Sequence, residues 1–177
     1  MGEALQLRRE TLGPRHPDTL QSINNLAALY ASQGRTAEAE PLLSEALQLS
    51  REVLGPHHPG TLQSMNYLAL LYASQDRTGE AEPLLRETLQ VRREMLGLHH
   101  PDTLHSMNYL ALLYASQGRT EEAEPLLRET LQLRREVLGS RHPDTLQSIN
   151  TLAFLYRSQG RHGEAEPLYR EALETAR

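Results

Sequence analysis

Cysteine, lysine and tryptophan are all absent from this 177-residue sequence, and phenylalanine occurs once. Without cysteine there is no disulfide, no thiolate metal site and no cysteine nucleophile. Without lysine all 18 positive charges are arginine, which excludes lysine Schiff-base chemistry and a lysine-dependent phosphate-binding loop. Positive charge is not in excess either. The net charge is -5, whereas a nucleic-acid surface needs a basic face that displaces counterions from phosphate, so no nucleic-acid partner is expected. No apolar run approaches the roughly 20 residues that cross a bilayer, and no charged-then-apolar leader opens the sequence. A soluble chain is expected, with no membrane partner and with the cytoplasm as the default compartment.

What the sequence has instead is self-similarity. His-Pro recurs at His16-Pro17, His58-Pro59, His100-Pro101 and His142-Pro143, and tyrosine recurs at Tyr30, Tyr72, Tyr114 and Tyr156, a constant period of 42 residues. Residues 59–100 and 101–142 agree at 34 of 42 positions, too many for two merely amphipathic segments. The period divides the chain into a partial helix at 1–13, repeats at 14–55, 56–97 and 98–139, and a truncated repeat at 140–177. Residues 171–177 align with 3–9, so the ends look like cuts within a longer array of such units.

Each repeat contains two helical patterns. Leu20, Ile23, Leu26, Ala27 and Tyr30 form one apolar face, with Pro17 suited to the first turn; this is helix A. Gly34 can adopt the left-handed conformation that ends it. Ala39, Leu42, Leu43, Ala46 and Leu47 then mark helix B, with Thr36 expected as its cap and Pro41 as a tolerated irregularity. Gly55 should stop helix B after Leu54.

The order Leu26-Ala27, Tyr30, Gly34, Ala39, Leu43 and Ala46 resembles the tetratricopeptide repeat signature. More narrowly, Asn24 to Tyr30, Glu38 to Leu43 and Leu54 to Pro59 resemble the 42-residue repeats of kinesin light chains. The resemblance implies an all-α fold, a right-handed superhelical solenoid of antiparallel helix pairs that holds protein or peptide partners in a concave groove lined by the A helices. It also implies a non-enzymatic role. The groove-facing positions it assigns are Gln21, Asn24 and Ala28, then Gln63, Asn66 and Leu70, then His105, Asn108 and Leu112, then Gln147, Asn150 and Phe154.

Charge is distributed in keeping with that division: residues 59–75 carry none, whereas residues 77–94 are crowded with Arg and Glu. The groove is therefore expected to be neutral and rich in amides. Asn24, Asn66, Asn108 and Asn150 offer donors and acceptors suited to a peptide backbone, although each could equally bond a neighbouring helix. Asn25, Tyr67 and Tyr109 occupy the adjoining position and are candidates for contact at the rim, and Arg157 is the one arginine that helix A supplies. A clamp for acidic C-termini is not expected with so few basic residues.

No catalytic set stands out. Ser, His and Asp recur with the period and so are tied to the fold, and the sequence lacks His-Glu-x-x-His and a glycine-rich dinucleotide turn. The His-Pro histidines are expected to shape the start of helix A, not to bind metal, and no cofactor is implied. Three readings remain: a peptide-binding scaffold, an array that self-associates end to end through its stacking faces, and a sensor segment of a larger signalling protein.

Overall fold

The repeating apolar pattern becomes nine α-helices, with no strand, among the residues that the structure, a computed structural model, describes (2–175). They are α1 (Gly2–Thr11), α2 (Pro17–Ser32), α3 (Thr36–Val53), α4 (Pro59–Ser74), α5 (Thr78–Leu96), α6 (Pro101–Ser116), α7 (Thr120–Leu138), α8 (Pro143–Ser158) and α9 (His162–Thr175). The even-numbered helices are the A helices, each starting at the proline of a His-Pro step. The chain forms two compact units, Met1–Thr88 and Leu89–Arg177. In the first unit α2 packs on α3, and α4 packs on α3 and also meets α2; in the second, α7 packs on both α6 and α8, and α8 packs on α9.

The His-Pro steps explain where each A helix begins. Proline at the first helical position has a fixed φ and lacks an N–H that would otherwise go unpaired. The histidine before it is the cap: His16 Nδ1 accepts from the Asp18 N–H at 3.2 Å, His58 from Gly60 at 3.0 Å, and His100 and His142 from Asp102 and Asp144 at 3.2 Å. The histidines are thus spent on the backbone, as their period implied.

Helix B starts differently from the expectation for Thr36. Thr36 is already the first helical residue, and Arg35 holds the cap position without a side-chain cap. Its guanidinium lies 3.9 Å over the Tyr30 ring and pairs with both carboxylate oxygens of Glu38. This cation–π and charge-assisted arrangement recurs at Arg77 with Tyr72 and Glu80 and at Arg161 with Tyr156 and Glu164. Pro41 sits inside α3 without interrupting it.

Gly34, Gly118 and Gly160 close three A–B turns at φ of 73, 71 and 73°. The fourth turn has Asp76, at φ 61°. A side chain is strained in this region, although aspartate tolerates it better than most residues. Asp76→Gly should therefore stabilise the protein by about 1 kcal/mol, read as a higher midpoint in chemical denaturation; a lower midpoint would contradict this.

The core of each hairpin pairs small with large residues. Ala27, Ala39 and Ala46 are 0 % exposed beside Ile23 and Leu43, and Ala111 and Ala123 are 0 % exposed beside Leu104, Met107 and Leu127. Alanine at the crossings lets helices approach, and the larger residues fill the space between. Along the B helices an ion pair repeats at a spacing of 36: Arg9–Glu45, Arg51–Glu87, Arg93–Glu129 and Arg135–Glu171. Such half-exposed pairs each contribute little.

Glu124 is better placed. It receives Arg161 and Arg128, and the Tyr156 hydroxyl donates to it at 3.3 Å. The hydrogen bond from Arg161 holds its carboxyl below the ordinary 4.5, against the opposing effect of burial. A depressed carboxylate pKa contributes stability at pH above 4.5, lost as pH falls through the folded-state value. Glu124→Gln should then lower stability at neutral pH and flatten the acid limb of a stability–pH curve. A parallel shift of the whole curve would contradict the assignment.

Candidate functional site

The A helices present the uncharged side chains. In the first unit Gln21 donates to Asn25 Oδ1 at 2.9 Å, with Asn25 exposed, and Gln63 donates to the Tyr67 hydroxyl at 3.3 Å, both half-buried. Each pair is one helical turn apart, so the two groups share a face. In the second unit His105 stands edge-on to Tyr109, with centroids 6.4 Å apart, and its Nε2 lies 3.1 Å from Asp144 Oδ2. His105 thus links α6 to the first turn of α8.

The asparagine row divides by depth. Asn24, Asn66 and Asn108 are 2, 7 and 2 % exposed, whereas Asn150 is exposed. Asn24 donates to Ser64 Oγ at 2.8 Å, tying α2 to α4. The Oδ1 atoms of Asn24, Asn66 and Asn108 are buried without a protein partner. The structure therefore lays three of these amides beneath the A-helix face and one upon it.

An open part of that face lies in the second unit. Gln147, Asn150, Thr151, Phe154 and Arg157 of α8, with Leu112 of α6 and Tyr169 of α9, line an open groove of about 820 Å³. Phe154 is 57 % and Leu112 38 % exposed. The Arg157 guanidinium lies 5.2 Å over the Phe154 ring. The arrangement can receive an apolar side chain against Phe154 and Leu112 and hydrogen bonds from the amides, while the cation remains at one edge. Sequence reasoning placed Gln147, Asn150, Phe154, Leu112 and Arg157 here but missed Thr151 and Tyr169. Tyr169 carried a signal: it replaces the leucine found at Leu43, Leu85 and Leu127, all buried.

The groove contains no assembled reactive pair, and among the described residues no three metal-ligating side chains come together. No helix among them is long and apolar enough to cross a membrane. Helix hairpins at a fixed period, with uncharged A faces and ion-paired B helices, define an all-α repeat scaffold. The chain belongs to the tetratricopeptide repeat family, whose model matches residues 1–48, 22–94, 67–136 and 102–177.

Solved structures agree with this. A Podosopora anserina protein described as a putative kinesin light chain with nearly identical TPR-like repeats is 30% identical; the match covers 98% of this chain and 82% of that one, with a TM-score of 0.81. BtubC (BKLC) from P. vanneervenii is 24% identical over 98% of this chain and 69% of that one, at a TM-score of 0.83, and shares the fold. MamA, at 16% identity over 97% of this chain and 86% of that one, with a TM-score of 0.65, shares the fold as well. No curated protein matches the chain. The family is generally a non-enzymatic scaffold for protein–protein interaction.

Proposed function

We propose that the A-helix face of each unit holds an extended peptide segment of a protein partner. The observation that carries this reading is the exposure of Phe154 and Leu112 beside Gln147 and Asn150 on a nearly uncharged face. An exposed aromatic next to free amides suits a peptide: the ring takes an apolar side chain, and the amides take main-chain groups whatever the sequence. Gln21 and Asn25, Gln63 and Tyr67, His105 and Tyr109, and Gln147, Asn150 and Arg157 make the contacts. Asn24, Asn66 and Asn108, lying beneath, fix the spacing of the helices that present them.

Calorimetry against a library of extended peptides tests this. Phe154→Ala should weaken binding of the selected peptides about tenfold or more, a loss typical of a buried aromatic anchor. Asn66→Ala with Asn108→Ala should weaken it through the fold of the face. If both variants bind like the parent chain, the groove assignment fails.

A second reading, end-to-end self-association, rests on Leu173. It is 61 % exposed, while its counterparts Leu47, Leu89 and Leu131 are 7, 6 and 4 % exposed. An apolar position covered in three repeats and open in the fourth offers a second copy a stacking face. Light scattering over a concentration series should show mass rising with concentration; a monomer throughout removes this reading.

A further inference from the structure

Where a B helix meets the following A helix, three of the four joints carry the same arginine clamp. Arg8 Nη1 donates to the Asp18 carbonyl at 2.9 Å and to Ser22 Oγ at 2.6 Å. Arg92 makes the same bonds to Asp102 and Ser106 at 3.0 and 2.8 Å, and Arg134 to Asp144 and Ser148 at 2.8 and 2.7 Å. Arg92 and Arg134 are 7 and 1 % exposed. Burial pushes their guanidinium pKa values down, while the nearby Asp102 and Asp144 pull them back up. Clamp and aspartate therefore work as a pair.

At the α3–α4 joint both halves of the pair are missing. Ser50 stands where the arginine should be, and Gly60 where the aspartate should be. Ser50 is 1 % exposed and its Oγ has no partner. The loss is thus a polar group left unpaired together with a glycine in the first turn of a helix, both unfavourable, and not a well-packed apolar replacement of a buried ion. Two contacts compensate in part. Ser64 Oγ, freed from an arginine, accepts from Asn24, and Thr61 Oγ1 donates to the Gly55 carbonyl at 2.7 Å. The first ties α4 to α2, and the second ties α4 to its own loop, so neither joins α4 to α3. α3 still packs on α4, but among the described residues the side-chain hydrogen bond it sends there is the one from Arg51, 4.0 Å from Met65 Sδ, a weak acceptor.

We infer that the α3–α4 joint is the built-in weak point of the stack, where helix B of one repeat parts first from helix A of the next. Charge-assisted bonds hold the other joints, and local opening starts where such contacts are fewest. Hydrogen–deuterium exchange on the whole chain tests this by comparing amides 62–66 in α4 with their counterparts 104–108 in α6. Amides in α4 should exchange at least about tenfold faster. Ser50→Arg with Gly60→Asp should slow them by a similar factor and leave α6 unchanged. A Cβ added at Gly60 would lie 3.3 Å from Leu54 Cδ1 and from His58 Nδ1, and both are side-chain atoms that can move aside. The reciprocal pair, Arg92→Ser with Asp102→Gly, should speed exchange in α6. Equal protection of α4 and α6 in the parent chain would overturn the inference, as would α6 amides that are indifferent to loss of their clamp.

Discussion

Enlarging Ala111 to leucine should cost about 1–3 kcal/mol, while truncating its neighbour Leu112 to alanine should leave stability within about 0.5 kcal/mol. The two residues are adjacent in α6 but face different ways. Ala111 is 0 % exposed at a helix crossing, where added methyl groups push α6 off its neighbours; Leu112 is 38 % exposed and lines the groove. Urea denaturation followed by far-UV circular dichroism separates the two effects. The same Leu112→Ala variant should weaken peptide binding, so the pair dissociates folding from function. A stable Ala111→Leu protein would mean that the small residues of the A helices do not set their packing distance.

Removing the buried clamp should be costlier. Arg134→Ala is expected to destabilise the second unit by about 3 kcal/mol, because it deletes two hydrogen bonds from a charged donor and leaves the hydroxyl of Ser148, a residue 0 % exposed, short of its partner. Asp144 then loses the cation that balanced it. Arg134→Lys should recover little, since an ammonium lacks the planar guanidinium geometry that this joint uses. Thermal denaturation would show this as a lower midpoint for both variants. Equal midpoints for Arg134→Lys and the parent would mean that charge alone matters at this joint.

The helices were legible because each is written four times. The 42-residue period, the His-Pro steps and the left-handed glycines marked the helix starts and turns, and local chemistry sufficed for them: Pro17 needs only its own φ, and His16 only an N–H two residues on. Depth was not legible in the same way. Asn24 looks like a surface amide on its helix, and it is buried by a helix that arrives 40 residues later. Arg92 and Arg134 belong to B helices crowded with charge, which reads as a solvated face; their burial is set by the carbonyl and hydroxyl acceptors of the next A helix. Thr36 looked like a cap because threonine often is one, whereas the structure starts the helix one residue earlier and turns Arg35 onto Tyr30. On the groove side Phe154 followed from the groove-facing positions of the resemblance and Arg157 from being the one arginine of helix A, whereas Tyr169, though it departs from the repeat, lies in a helix B pattern that elsewhere is core.

Nuclear magnetic resonance mapping of a library-selected peptide on the labelled chain tests the central claim most directly. The account predicts that peptide-induced shifts gather on the A helices, at Gln147, Asn150, Thr151 and Phe154 of α8 and at His105 and Tyr109 of α6. Shifts confined to the ion-paired residues of the B helices, such as Arg93, Glu129 and Arg135, would contradict it.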